Sequence, residues 1–199
     1  MLRADQTFVD AVEAAVGRVE ARTDAEIVVV VAARSSRWMA RRYLVGAALG
    51  FAVLAFAVYG PTAVPAFWLP VDVALAFGLG AWLPGRFPRL LRPALGADER
   101  TVVAHRAAHA AFHTEEVHST RARTGVLVYL SVLEERVVVL PDNGVTEFVP
   151  PGLLEVPWVL DSTESVVAGL EALAEPLAAH LPATHDNPDE LPNRPRVRA

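Results

Sequence analysis

The chain has 199 residues and a net charge of −5, and 53% of its residues are hydrophobic. All 18 basic residues are arginine, and cysteine is absent. The negative charge argues against a general nucleic-acid-binding protein, and the absence of lysine excludes Schiff-base chemistry and a P-loop. The absence of cysteine excludes disulfides and thiolate chemistry. Frequent Ala, Val, Arg and Pro without lysine is typical of a GC-rich bacterial genome.

The first part of the chain predicts one helix and one strand. An apolar stripe predicts an amphipathic helix from about residue 7 to 22, with Asp5 or Thr7 as its cap. The run of β-branched residues at 26–33 predicts a strand that is buried on both faces. No apolar leader precedes the helix, so we expect no signal peptide. The stripe consists of Val9, Val12, Val16 and Val19.

Two apolar runs follow, at 43–60 and 63–83, with a proline-containing turn between them. Each is long enough to cross a hydrocarbon core, so residues 43–83 predict a transmembrane helical hairpin. The alternative is a pair of buried helices in a soluble protein. Asp72 is the formal charge in this stretch, and it lies near Pro70. A carboxylate at this position is expected either to lie at the outer membrane interface or to be a proton site within the membrane.

Arginines flank the hairpin on both sides, whereas the turn between the runs has no charge. Arginine near membrane-spanning segments is retained on the cytoplasmic side. We therefore expect a multi-pass protein of the bacterial inner membrane with both termini in the cytoplasm, in contact with lipid and with a membrane-protein partner. The flanking residues are Arg37, Arg41 and Arg42 before the hairpin, and Arg86, Arg89 and Arg92 after it.

The remaining sequence predicts a helix at 98–116, strands at 126–132 and 136–140 that form an antiparallel hairpin, and a helix at 162–180 capped by Asp161 or Ser162. A Pro-rich tail, 182–199, lacks the apolar residues needed for a core. One strand before the membrane segment is unstable alone. We therefore predict one α/β domain, a mixed-sheet α/β sandwich built from residues 1–36 and 97–181 and interrupted by the hairpin.

Several segments resemble the TPM domain family. The segments are EARTDAEIVVVV and AAFHTEEVHSTRARTGVLVYLSVLEERVVVLPDNGV, and the resemblance covers about residues 8–34 and 100–180. The tail DNPDELPNRP resembles the Asn-Glu-Leu-Pro tail of membrane-embedded bacterial relatives, with Asp189 in place of the Asn. The matching positions are Thr23, Glu26, Ile27, Thr120, Arg123, Gly125, Val126, Leu127, Ser131, Glu135, Arg136, Asp142 and Gly144.

The resemblance implies an α/β sandwich on a mixed sheet, but it does not imply one activity. Some members are acid phosphatases, some bind divalent metal ions, and others are accessory factors of membrane complexes. The membrane segment inside the domain and the missing signal peptide depart from the commonest layout of the family, which argues against a lumenal or periplasmic role. We therefore expect an accessory or interaction module for a membrane complex. The alternative is a weak metal-dependent phosphatase.

Three histidines, His105, His109 and His113, have helical spacing and are predicted to lie along one face of the helix at 98–116. Imidazoles at this spacing bind zinc, copper or nickel, and Glu116 would add an oxygen ligand. The HExxH pattern is absent. The alternative, which we favour, is a solvated or packing face without metal.

A second candidate site is the end of the third strand, at Asp142. A carboxylate there can bind a hard cation, and Glu26 and Asp161 would supply further oxygens if the fold brought them close. The candidate ions are Ca, Mg and Zn. The alternative is ordinary turn chemistry, in which Asp142 bonds nearby backbone and Gly144 supplies a positive φ.

A third candidate is an anion site before the second strand, where Thr120 and Arg123 would hold a phosphate or carboxylate. The alternative is a surface ion pair of Arg123 with Glu134 or Glu135. Nucleophile elbows, dinucleotide fingerprints and P-loops are absent from the sequence.

Overall fold

The computed structural model of the protein describes residues 4–36, 38–61, 65–88, 90, 95–184 and 190–198. The chain divides into two compact units, and each is described by itself. Unit 1 comprises residues 1–35 and 98–199, and unit 2 comprises residues 36–97. Several residues named above lie outside the described residues: Arg37, Arg89, Arg92, Asp189 and the turn residues 62–64.

A pair of helices separates the first helix and strand from the remaining elements of unit 1. Short 3₁₀ turns lie at Val117–Ser119, before β2, and at Pro151–Leu154, before α6. In chain order the elements are α1 (Gln6–Glu20), β1 (Glu26–Ala32), α2 (Met39–Tyr59), α3 (Leu69–Arg86), α4 (Ala97–Thr114), β2 (Gly125–Ser131), β3 (Arg136–Pro141), α5 (Asn143–Thr146), α6 (Thr163–His180) and β4 (Arg196–Arg198).

The strands form a mixed sheet in the order β3-β2-β1-β4. Strand β1 runs parallel to β2 and to β4, whereas β3 is antiparallel to β2. This confirms the predicted mixed α/β fold and the β2–β3 hairpin. The fourth strand was not predicted. It is formed by the tail, which pairs Val30 of β1 with Arg196 and continues for three residues.

Helices cover both faces of this sheet. Helices α1 and α6 pack on one face, where Phe8 and Leu170 are fully buried in the larger core cluster. Helix α4 packs on the other face through small residues such as Ala108. The N-caps of α1 and α6 are among the predicted residues. The Asp5 side chain accepts the N–H of Phe8 at 3.0 Å, and the Ser162 side chain caps α6. All seven residues of β1 are buried, as its β-branched sequence predicts.

Unit 2 contains α2 and α3, which pack against each other as an antiparallel pair. Within the described residues one helix, α2, is long and apolar enough to cross a membrane, judged by its length and composition. Its best 18-residue window has a mean hydropathy of 1.7 and is 11% buried. Helix α3 does not meet that measure. The second apolar run becomes helical only at Leu69, because a turn that starts at Pro65 precedes it.

Candidate functional site

Residues predicted to bind a ligand meet at one edge of the sheet in unit 1. Glu26 at the start of β1 pairs with Gly125 at the start of β2. The carbonyl of Gly125 accepts the backbone N–H of Asp142, at the end of β3, at 2.8 Å. We call this region the Asp142 edge; it comprises Glu26, residues 120–125 and residues 142–144.

Asp142 follows the last residue of β3 and caps the short helix α5. Its side chain is 5% exposed, and its Oδ1 accepts the backbone N–H of Asn143 at 2.8 Å. Its carbonyl accepts the N–H of Val145. This is the turn chemistry described above, with one correction: Gly144 does not have a positive φ. Glycine is required there by a close approach, because a Cβ would lie 2.1 Å from the carbonyl oxygen of Ala122.

Arg123 pairs with Asp142. Its Nε lies 3.0 Å from Oδ2 of Asp142, and its Nη1 donates to the carbonyl of His118 at 3.0 Å. The backbone of Arg123 is left-handed, with φ 58°. The guanidinium is half-exposed whereas the carboxylate is buried. The pair therefore neutralises a carboxylate that would be costly to bury alone.

The alternative pairing of Arg123 with Glu134 or Glu135 is wrong. Both glutamates follow the end of β2, whereas Arg123 precedes its start, so the whole length of the strand separates them. The β2–β3 register explains the true partner, because it places Val126 opposite Pro141 and hence the residues before β2 beside those after β3.

Thr120 closes the turn that leads into β2. Its side chain is buried, and Oγ1 accepts the N–H of Thr124 at 2.9 Å, while its carbonyl accepts the N–H of Arg123. The neighbouring Arg121 donates its backbone N–H to the carboxylate of Glu190 at 2.8 Å. In this structure Thr120 therefore shapes the loop that carries Arg123.

Glu26 is 3% exposed at the same edge. Its backbone N–H donates to the carbonyl of Thr124, and its Oε2 accepts the N–H of Leu191 at 3.2 Å. The tail thus reaches the Asp142 edge at Glu190 and Leu191 before it enters β4. Sequence reasoning missed this contact, since nothing local in a Pro-rich segment identifies the strand beside which it lies.

Asp161 does not join Glu26 and Asp142. Helix α6 spans 18 residues, about 27 Å. Its C-terminal end lies near the start of β1, where the carbonyl of Leu181 accepts the Thr23 hydroxyl at 2.6 Å. Asp161 precedes the other end of α6. There its pKa is lowered below the ordinary value, mainly by a hydrogen bond from the Ser165 side chain.

The three histidines of the predicted face, His105, His109 and His113, all lie at exposed positions of α4. His105 and His109 are exposed along α4, whereas the ring of His113 contacts that of His118. Within the described ranges, no group of three or more His, Cys, Asp or Glu side chains is arranged to hold a metal ion. Glu116 is exposed and has a left-handed backbone with φ 55°.

A polar cluster that sequence reasoning missed lies at the opposite edge of the sheet. The fully buried Glu134 accepts the Ser131 hydroxyl at 2.6 Å and the Ser35 N–H at 3.0 Å. Burial raises the pKa of the neighbouring Tyr129 above its ordinary value. The sequence did contain a clue to this cluster. Tyr129 and Ser131 are two residues apart in one strand, so their polar side chains lie on the same face of the sheet.

In unit 2, glycines form the contact between α2 and α3. A Cβ on Gly46 would lie 2.7 Å from the carbonyl oxygen of Phe77, and one on Gly80 would lie 2.9 Å from the Cα of Gly46. Gly46 and Gly50 form a small-xxx-small pattern, which permits close helix packing. The prediction of the hairpin did not use this pattern. Asp72 is in the first turn of α3, where the helix dipole favours an acidic residue.

Comparison with known proteins adds a likeness of fold. No family model matches the chain, and no curated protein matches it. The NMR structure of the BA42 protein from the psychrophilic bacterium Bizionia argentinensis is similar, with a TM-score of 0.55 and 16% sequence identity. The similarity covers 97% of this chain and 94% of that chain. At this identity the likeness concerns the fold alone.

Proposed function

We propose that the chain is an integral membrane protein whose TPM-like α/β domain is an accessory or interaction module for a membrane complex. The observation that carries this proposal is the surface of α2. The helix buries only its glycines, Gly46 and Gly50, whereas large side chains such as Phe51 (71% exposed), Phe56 (59%) and Leu44 (58%) point outward. An exposed apolar surface of this extent marks a membrane or protein contact.

The length and flanks of the helical pair support a membrane location. Helix α2 has 21 residues, about 32 Å, which matches a hydrocarbon core of about 30 Å. Arg41 and Arg42 lie at the start of α2, and Arg86 lies at the end of α3. These two helix ends are adjacent, since the Arg42 guanidinium lies beside Gly85. Positive charge at one end of a hairpin favours the cytoplasmic side for both chain ends.

The Asp142 edge supports an accessory role more than catalysis. Its buried carboxylate is paired with Arg123, its buried threonine hydroxyl accepts a backbone N–H, and Glu26 accepts an N–H of the tail. These groups hold the loops in place. Catalytic groups in general must also be reachable by a substrate.

Reporter fusions test the membrane topology. A reporter fused after Ala199 should give a cytoplasmic signal in a bacterial inner membrane, and a reporter inserted in the α2–α3 turn should give an external one. An external signal from the C-terminal fusion, or recovery of that fusion in the soluble fraction, would refute the proposed topology.

Cross-linking tests the interaction role. A photo-activated cross-linker in place of Phe148, a half-exposed apolar side chain of unit 1, should yield a discrete adduct with a membrane protein in intact cells. The same cross-linker at exposed Ala110 on α4 is the control. An absence of adducts from Phe148 and from further exposed apolar positions would argue against an interaction module.

A metal-dependent phosphatase of the TPM type is the second candidate. It is favoured by the position of two buried carboxylates, Glu26 and Asp142, on either side of Gly125. Hydrolysis of a generic phosphomonoester with Mg²⁺, Ca²⁺ or Zn²⁺ that is lost in Asp142→Ala but retained in Asp161→Ala would support it. No hydrolysis across these metals and a range of pH would exclude it.

A further inference from the structure

The end of α4 and the following 3₁₀ turn bring two imidazoles together. The ring centres of His113 and His118 are 5.3 Å apart, with an angle of 60° between the ring planes. The ring of Phe112 lies beside both, and it is nearly parallel to that of His118. The left-handed backbone of Glu116 reverses the chain between the two histidines.

His118 carries a polar atom whose environment needs an explanation. Its Nδ1 is buried and has no hydrogen-bond partner within the part of the chain that the structure describes. Buried side-chain nitrogens are nearly always hydrogen-bonded or bound to an ion or a water. His113, by contrast, is exposed at the end of α4. One ring of the pair is therefore fixed by packing and the other is free to adjust.

The spacing of the two rings allows them to share a metal ion. Zinc binds an imidazole nitrogen at about 2.05 Å, and a ring nitrogen lies about 1.2 Å from the ring centre. Two rings on one tetrahedral ion therefore have centres about 5.3 Å apart. The observed 5.3 Å between His113 and His118 permits this arrangement, and the unpartnered Nδ1 of His118 is the observation that points to a ligand. Two protein ligands leave the other coordination positions of the ion to water.

We infer that His113 and His118 form a binding site for a divalent metal ion of the zinc, copper and nickel class, with Nδ1 of His118 as one ligand. These ions suit imidazole nitrogen, whereas magnesium and calcium prefer oxygen. The site is separate from the Glu26–Asp142 carboxylates and does not rest on either proposed function. It also differs from the predicted helical face, because it uses His118 in place of His105 and His109.

The site is joined to the Asp142 edge through the backbone. The carbonyl of His118 accepts the Arg123 guanidinium, and Arg123 pairs with Asp142. An ion that links α4 to the 3₁₀ turn would hold that carbonyl in place. Metal binding at the histidine pair would therefore steady the Arg123–Asp142 contact without taking part in it.

Zinc titration of the full-length protein tests the inference. The protein is purified in mild detergent without a polyhistidine tag, and ZnCl₂ binding is measured by calorimetry. His113→Ala should weaken zinc binding by at least about tenfold, since the loss of even an outer-shell partner costs about 10- to 100-fold. His118→Ala should do the same. His105→Ala and His109→Ala, exposed positions on the same helix, are the matched controls and should bind zinc as the unaltered protein does.

Imidazole NMR signals give a second readout. Zinc should shift the ring signals of His113 and His118 and leave those of His105 in place. If His118→Ala fails to fold, His113→Ala decides the matter, because that side chain is exposed. The inference is overturned if the unaltered protein binds no zinc up to about 1 mM, if His113→Ala binds zinc normally, or if His105→Ala weakens binding as much as His113→Ala does.

Discussion

The ion pair of Asp142 with Arg123 is the contact at the Asp142 edge that substitutions test most directly. Asp142 has two roles, since its Oδ1 caps α5 and its Oδ2 faces the Arg123 guanidinium. Asparagine is an equally good cap but carries no charge. Asp142→Asn therefore removes the ion pair alone, whereas Asp142→Ala removes the ion pair and the cap.

The exposures of the two side chains set the expected magnitudes. Exposed ion pairs contribute about 0.2–1 kcal/mol, and this pair has a buried carboxylate and a half-exposed guanidinium. We expect Asp142→Asn to lower the free energy of unfolding by about 1 kcal/mol. Loss of a cap costs about 1 kcal/mol more, so Asp142→Ala should cost about 2 kcal/mol. Arg123→Ala should also cost about 2 kcal/mol, because it leaves the buried carboxylate without its cation.

Hydrogen exchange measured by mass spectrometry gives these free energies for the full-length protein in mild detergent. The peptides that cover β2 and β3 report the opening of the hairpin. A double-mutant cycle of Arg123→Ala and Asp142→Asn should give a coupling energy of about 1 kcal/mol. A coupling energy near zero would refute the ion pair. Equal costs for Asp142→Asn and Asp142→Ala would refute the cap.

Three further outcomes are expected. Gly46→Leu should lower the thermal unfolding midpoint of unit 2 in detergent, whereas Gly78→Leu, where a Cβ meets nothing within 4 Å, should not. Because burial raises the pKa of Tyr129 above 10.0, its contribution to stability is present below pH 10 and is lost as pH rises through the raised value; the tyrosinate absorbance difference from Tyr129→Phe measures this titration. In urea unfolding, fully buried Leu170→Ala should cost about 3–5 kcal/mol, and half-exposed Leu153→Ala under about 0.5 kcal/mol.

The longer helices and strands of unit 1 were predictable because each has its own pattern of apolar residues. The apolar stripe of α1 and the unbroken apolar run of β1 are local features, and both elements begin within one or two residues of the predicted positions. Strand β4 has no such feature. It contains three residues, two of them arginines, and the carboxylate of Glu115 binds the guanidinium groups of Arg196 and Arg198 while the strand pairs with β1.

Only those residues of the candidate site that lie at strand ends, or that the hairpin register places there, could be predicted from the sequence. Asp142 was a candidate because it follows a strand, whereas Glu26 was included only on condition that the fold brought it close. The register of the short hairpin places Arg123 beside Asp142. Asp161 could not be located in this way, because a helix of 18 residues separates it from the edge. The contact of Glu190 with Arg121 depends on the path of the tail, which carries no periodic signal.

The two edges of the sheet bear differently on catalysis. In open α/β sheets, ligands bind outside the carboxyl ends of the parallel strands. At the carboxyl ends of β1 and β2 this chain places the cluster of Ser35, Ser131 and Glu134, whose groups bond to one another; Ser131 and Glu134 are fully buried, and Ser35 is partly buried. Asp142 lies at the amino ends of those strands and meets the edge only because β3 runs antiparallel. The polar groups at the usual ligand edge of this sheet are therefore hydrogen-bonded to one another, whereas those of the Asp142 edge are bonded to loops and to the tail.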